Sequence, residues 1–402
     1  MNGFSFLDFD FYKLIMGQFV WKHFPDTIVK YEFKNRTKDV ILGGIISISS
    51  VKQSLLEYKN SPLTKEEAEY LKSLGHFEDG YIEFLKNVQL PTPECSMSDN
   101  GQLVVSVTGK WSEAIYWETV VLSSVNELYC ASFKDGLGGK GKIFSEGHRK
   151  LDDKIALLKK YPGIRFSEFG TRRRHSLEWQ EEVIKTLMKE VPEQFIGTSN
   201  VHLAMKYGIS PIGTQAHEMF MVGSALFGDL DSDILGSHGK VLDMWYNYYG
   251  EKFSIALTDT YGTDFFFRDF GKERADKWKG LRQDSGDPFE FATKTIDFYV
   301  DSGVNPKRKT ITFSDGLDVN KIVALYNGFS DRIGTGFGWG TDLTNDVGIK
   351  TLSLVMKATE CNGRGLVKLS DNLNKATGLP ENVERFKKIF GYVNEKSEKL
   401  IY

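Results

Sequence analysis

EFGTRRRHS, residues Glu168–Ser176, sets a short strand against a glycine turn, places Arg172, Arg173 and Arg174 on that turn, and ends on a serine, a residue type that opens helices. The same grammar recurs downstream in GTSN (Gly197–Asn200), IGTQAHE (Ile212–Glu218), LTDT (Leu257–Thr260), LRQDSGDP (Leu281–Pro288), FSDGLD (Phe313–Asp318) and GFGWGTD (Gly336–Asp342). Each turn follows a short apolar strand and precedes a helical stretch, and alternating β and α elements imply a parallel sheet. Seven such units in a row favour closure over an open sheet, so the predicted fold class is α/β, with an irregular (β/α) TIM-like barrel over residues 131–345. In such barrels the chemistry lies at the carboxyl ends of the strands, and the unusual polar residues fall there.

Outward from this repeat the pattern changes. Residues 1–130 read as an N-terminal α/β domain, with a helix over Phe11–His23, a strand over Ile28–Phe33, another over Leu103–Val107, and an apolar helix over Trp111–Leu128. Thr64 and Glu67 have capping-box spacing, and Gly75 stands where that helix would stop. Residues 346–402 are expected to complete the N-terminal domain by packing on it. The length of 402 residues accommodates a barrel of about 250 residues plus such a unit.

A net charge of −3 argues against a general nucleic-acid binder. No apolar run approaches the ~20 residues that span a membrane, and Met1–Asp10 lacks a basic stretch followed by an apolar one. The three cysteines, Cys95, Cys130 and Cys361, have no paired spacing for zinc or a disulfide framework. The expected location is the cytoplasm, with reduced thiols.

Guanidinium groups pair bidentately with phosphate or carboxylate. Three successive arginines cannot all face one way, so one or two are expected to enter the site, while a solvated basic turn is the bland alternative. GTSN and FSDG offer backbone N–H groups at helix starts, where anions bind without a charged side chain. GFGWGTD supplies glycines that let a backbone approach phosphate. Asp259, Asp284 and Asp315 at successive strand ends can hold ribose hydroxyls or Mg²⁺, or can simply cap the next helix. Arg282 and Asp284, two apart, point the same way from a strand, which suits a zwitterionic or sugar-phosphate ligand. His217, expected at a strand mouth beside Glu218, can be an acid/base, a metal ligand or a phosphoacceptor, although no second histidine has metal-ligand spacing. Gly136–Lys142, GLGGKGK, fits a phosphate loop up to its lysine, but Ile143 follows where a Ser or Thr must stand, so it reads as a glycine–lysine loop.

These motifs, in this order, resemble the bacterial nicotinate phosphoribosyltransferase family. The resemblance runs from DFDFYKLIMGQ (Asp8–Gln18) through FGTRRRHS, GTSN, GTQAHE, LRQDSGDP and FSDGLD to ECNGRGLVKLSD (Glu360–Asp371). It implies the reaction of nicotinate with phosphoribosyl pyrophosphate to give nicotinate mononucleotide and pyrophosphate, coupled to hydrolysis of ATP, with Mg²⁺ as cofactor. It implies an ATP-dependent ligase of NAD synthesis, and a homodimer with active sites at the interface. By motif, His217 is the phosphoacceptor, with Glu218 orienting its ring. Phe169 stacks on the pyridine ring, Tyr12 closes the other face from the neighbouring subunit, and Arg282 lies near the base. Arg172 meets phosphate, while Asp259 and Asp284 fall at the ribose and Mg²⁺ side. Asp315, Gly316, Gly340 and Thr341 line the 5′-phosphate pocket. Ser199 stands where nicotinamide enzymes place an aspartate. Such a carboxylate ~4 Å from a substrate carboxylate would repel it by about 4 kcal/mol at an effective dielectric of ~20, so serine favours the acid. Two departures stand out: His175 occupies a position that is often aromatic, and Trp339 intrudes into the glycine turn of the phosphate loop.

Three rivals follow from the same residues: a nicotinamide-specific enzyme, a silent sugar-phosphate-binding barrel, and another barrel lyase or isomerase. The last should show a Schiff-base lysine or a Glu/His base pair at strand ends, and neither is found.

Overall fold

The computed structural model describes residues 5–393, which divide into two compact units. One runs through Gly213 and takes in Trp339–Lys357, and the other comprises Thr214–Gly338 and the chain from Ala358 onward.

In the first unit, the helix Phe11–His23 is buried over its first ten residues, because it is apolar on nearly every face. Its one buried charge, Lys13, is therefore obliged to find a partner. Thr64 and Glu67 form the expected capping box at the helix Lys65–Ser73. Strand β1 (Ile28–Asn35) and strand β2 (Glu94–Met97) both pair antiparallel with β3 (Leu103–Lys110), with Tyr31 opposite Val107. Val29, Tyr31 and Phe33 alternate inward, as a sheet with one buried face requires. The helix predicted over Trp111–Leu128 is two helices, Trp111–Ala114 and Trp117–Ser132. At the break, the buried Tyr116 bonds the Tyr81 hydroxyl at 2.7 Å and packs against Phe6 and Phe9. Strands β4 (Phe166–Glu168) and β5 (Phe195–Thr198) pair in parallel, with Glu168 opposite Thr198. The lysine of the GLGGKGK run, Lys140, begins the helix Lys140–Leu158, which leaves no phosphate loop there.

In the second unit, β6 (Ile255–Leu257), β7 (Gly280–Gln283), β8 (Thr310–Phe313) and β9 (Gly334–Trp339) pair in parallel in chain order. The helices Thr263–Lys277, Pro288–Asp301 and Val319–Phe329 alternate with them, as βαβ units demand. Pro288 sits at the first turn of its helix behind the Asp287 cap, where its missing N–H costs nothing.

Two expectations are corrected. IGTQAHE does not follow a ladder strand: Pro211 makes only an isolated bridge to Thr198, because proline has no N–H to donate, and His217 instead opens the helix His217–Phe227. Residues 346–402 do not all go with the N-terminal region. Strand β10 (Leu354–Cys361) begins in the first unit, and in the second it turns through Asn362 and Gly363 into a hairpin with β11 (Arg364–Gly365). Beyond it, Lys368, Ser370 and Asp371 are held by second-unit side chains described below. Among the described residues, no helix is long and apolar enough to cross a membrane.

Candidate active site

In the second unit the polar residues gather where the strands end. Asp259 lies two residues beyond β6, Asp284 follows β7 directly, and Asp315 lies two beyond β8. None of the three caps a helix, since Asp287 and Asp318 do that work and Gly262 precedes the remaining one. Three carboxylates at strand ends are thus left for chemistry.

His217 is 3% exposed at the first turn of its helix. Its Nδ1 lies 3.0 Å from the Thr260 hydroxyl, and its Nε2 lies 2.9 Å from Asp284 Oδ2 and 2.8 Å from Lys368 Nζ. Burial, and then the positive charge of Lys368, push the imidazole down to about 4, so it is neutral near pH 7. Adjacent residues on a helix do not face each other, and the ring nitrogens are met by Thr260, Asp284 and Lys368 rather than by Glu218, which is buried one position on.

Asp259 is fully buried. Ser285 donates to its Oδ2 at 2.5 Å and Ser370 at 3.2 Å, with Lys368 Nζ 3.5 Å away. Burial raises its carboxyl, but the Lys368 and His217 terms outweigh that and hold it below the ordinary range. Its Oδ1 has no hydrogen-bond partner. Asp284 also ends up well below the usual value, because Arg282 and His217 overcome its desolvation. Arg282 Nη2 stands 3.6 Å from Asp284 Oδ1, the same-side pairing read from their spacing, while Nη1 donates to the Gln215 carbonyl at 3.0 Å. Ligand-capable atoms of His217, Asp259 and Asp284 lie within 4.8 Å of one another. Hard carboxylate oxygens, one of them orphaned, fit Mg²⁺.

Asp315 receives Lys375 Nζ at 2.5 Å, and the same ammonium donates to the Asp284 carbonyl at 2.9 Å. Burial still leaves the Asp315 carboxyl above its ordinary value. Gly316 has φ of 52° and gives its carbonyl to Lys321, in a turn that favours glycine. Asp371 receives the Thr263 N–H at 2.8 Å and its hydroxyl at 2.5 Å, and burial followed by repulsion from Asp259 raises it to about 7.

The first unit holds a separate charged cluster. Lys13, 0% exposed, pairs with Glu118 at 2.6 Å, and Lys357 reaches the same carboxylate at 2.9 Å. Despite desolvation, these cations hold the Glu118 carboxyl far below its ordinary value. The Tyr12 hydroxyl donates to Glu118 at 3.3 Å, and the Arg172 guanidinium lies 5.9 Å from the centre of the Tyr12 ring. Arg172 Nε is 3.2 Å from Asp10 Oδ2, and Ser199 Oγ donates to Asp10 Oδ1 at 2.7 Å. Burial raises the Asp10 carboxyl more than Arg172 lowers it.

The three arginines divide as expected. Arg172 is half-exposed, Arg173 donates to the Leu354 carbonyl, and Arg174 is buried in a fork to Asp8 at 2.6 and 2.7 Å, with Glu127 on its Nε. Phe169 is half-buried, and its N–H donates to the Trp339 carbonyl. A Cβ on Gly170 would fall 1.9 Å from Thr344 Oγ1, so only glycine fits that turn. Gly340 precedes the four-residue helix that starts at Thr341. Trp339 is fully buried, edge-on to Phe166, with its N–H on Asp342. His175 is buried against Phe144 and its Nδ1 has no hydrogen-bond partner.

Reading the sequence missed Asp10, Lys13, Glu118, Thr260, Ser285, Lys357, Lys368 and Lys375. Lys13 left a signal, a lone charge in an apolar helix, and Lys368 and Asp371 lay inside a quoted motif without a role.

A mixed α/β architecture with a parallel sheet, carboxylates at its strand ends and a neutral histidine among them defines an enzyme of the phosphoribosyl-transfer class. Family comparison is more specific: the nicotinate phosphoribosyltransferase (NAPRTase) family matches residues 164–394, and its N-terminal domain matches residues 7–126. The chain therefore belongs to the nicotinate phosphoribosyltransferase family. It is similar to the nicotinate phosphoribosyltransferase of Porphyromonas gingivalis at 32% identity and a TM-score of 0.87, over 96% of this chain and 99% of that one. It is also similar to that of Vibrio cholerae at 31% identity and a TM-score of 0.88, over 96% and 93%.

Proposed function

We propose that this enzyme joins nicotinate to phosphoribosyl pyrophosphate, giving nicotinate mononucleotide and pyrophosphate, and couples this to conversion of ATP to ADP and phosphate through His217. The reaction is the first step of NAD synthesis from nicotinate. The observation that supports it most is the neutral, buried imidazole of His217 between Asp284 and Lys368 at a helix start. A neutral ring has a lone pair for phosphorus, and the positive end of the helix favours a phosphoryl group.

Each residue has a physical task in this reading. Loss of pyrophosphate leaves an oxocarbenium-like ribose, so the chain must neutralise the leaving group and hold the pyridine nitrogen in line. Arg172 meets anionic substrate, Phe169 and Tyr12 offer ring faces, and Arg282 lies on the base side. Asp259 and Asp284 would hold Mg²⁺, whose charge would neutralise the departing pyrophosphate. Asp315, Gly316, Gly340 and Thr341 would receive the 5′-phosphate. Ser199 in place of an aspartate supports the acid over the amide. The same reading takes the parallel sheet as part of a closed barrel, places the protein in the cytoplasm as a homodimer with Tyr12 facing the partner's site, and keeps a domain division near residue 130. Phosphate made acid-labile and base-stable on His217 by ATP, and lost in His217→Ala together with ATP stimulation, is the expected result. Full ATP stimulation in His217→Ala would sink the coupling.

A further inference from the structure

The two ring nitrogens of His217 meet different chemistry. Nδ1 lies 3.0 Å from the Thr260 hydroxyl, which can donate or accept. Nε2 lies 2.8 Å from the Lys368 ammonium, 2.9 Å from Asp284 Oδ2 and 3.8 Å from Asp259 Oδ1. An ammonium has only protons to give, so Lys368 bonds to an Nε2 lone pair, whereas an ionised carboxylate has only lone pairs and needs a proton on Nε2. Nε2 satisfies one of these neighbours at a time, and the Thr260 hydroxyl serves either tautomer. Thr260 and Lys368 are placed by one piece of backbone, because the N–H of Leu369 donates to the Thr260 carbonyl at 2.8 Å.

Building on the reading that ATP phosphorylates His217, we propose that Nε2 is the atom phosphorylated and that Lys368 is the positioning residue that presents its lone pair. The Nε2 lone pair forms the bond to the γ-phosphorus, the bond from that phosphorus to the β,γ-bridging oxygen breaks, and ADP leaves with that electron pair. The proton stays on Nδ1, donated to Thr260, so none has to leave the ring. The arriving phosphoryl group would otherwise face the carboxylates of Asp284 and Asp259. Lys368, 3.5 Å from Asp259, puts a positive charge on that side.

The test uses the whole enzyme with ¹⁵N-labelled histidine, incubated with ATP and Mg²⁺, and assigns the isomer from the ³¹P–¹⁵N coupling. Coupling to Nε2 is expected. Coupling to Nδ1 overturns this proposal while sparing the reading it rests on, and absence of any phosphohistidine overturns both. Lys368→Met should slow phosphoryl incorporation about a hundredfold, the scale of a misplaced reacting group, and Lys368→Arg should recover part of it. An unchanged rate and isomer in folded Lys368→Met would refute the positioning role, and the wild-type isomer decides the nitrogen if that variant does not fold.

Discussion

Ser199 gives its only hydroxyl proton to Asp10, at 2.7 Å, with both residues fully buried. Replacing Ser199 by aspartate would set two buried carboxylates against each other and remove a donor from the place where an acid is to be recognised. At ~4 Å and an effective dielectric of ~20, repulsion of nicotinate would be about 4 kcal/mol, roughly a thousandfold in kcat/KM. Steady-state rates with nicotinate should show that loss in Ser199→Asp. Rates within a fewfold of the wild type would remove Ser199 from the specificity argument.

Glu118 is the only printed anion for both Lys13 and Lys357 among the described residues. Glu118→Gln would leave buried ammonium groups uncompensated, at a cost of about 3–5 kcal/mol. A chemical-denaturation midpoint equal to that of the wild type would show that the cluster is dispensable.

The same carboxylate gives a pH signature. Its folded pKa is depressed, so its contribution is present above the ordinary glutamate value and is lost as pH falls from there toward its folded value. Thermal melts should therefore drop steadily below about pH 4.5, more steeply in the wild type than in Glu118→Gln. Parallel acid limbs would count against this assignment.

Gly170 is held by space rather than by backbone angle, since an added Cβ would meet Thr344 Oγ1 at 1.9 Å. Gly170→Ala should cost about 1–3 kcal/mol by overpacking and disturb Phe169 beside it. Calorimetry and the KM for nicotinate read the two effects, and a silent substitution would mean that Thr344 yields freely.

Asp284 touches His217, and Arg282 lies beside it. Asp284→Asn keeps the shape but removes the charge, and should lower kcat about a hundredfold with little change in melting temperature. A loss confined to stability would make the residue structural.

Much of this arrangement was readable because strand-end chemistry is local. Asp259, Asp284 and Asp315 stand at predictable offsets from their strands, and Arg282 pairs with Asp284 as period-two geometry requires. The Thr64 capping box was legible for the same reason. What escaped was long-range. Lys368 reaches His217 across 151 positions of sequence and Lys357 reaches Glu118 across 239, and no periodicity encodes such partners. IGTQAHE was misplaced because a proline stopped the strand that its glycine turn suggested.

The most direct measurement is product formation by the purified protein with phosphoribosyl pyrophosphate and Mg²⁺, using nicotinate and nicotinamide in parallel, with and without ATP. The account predicts nicotinate mononucleotide and pyrophosphate from the acid, stimulated by ATP, and far slower turnover of the amide. Preferential turnover of nicotinamide, or no mononucleotide from nicotinate at all, would contradict it.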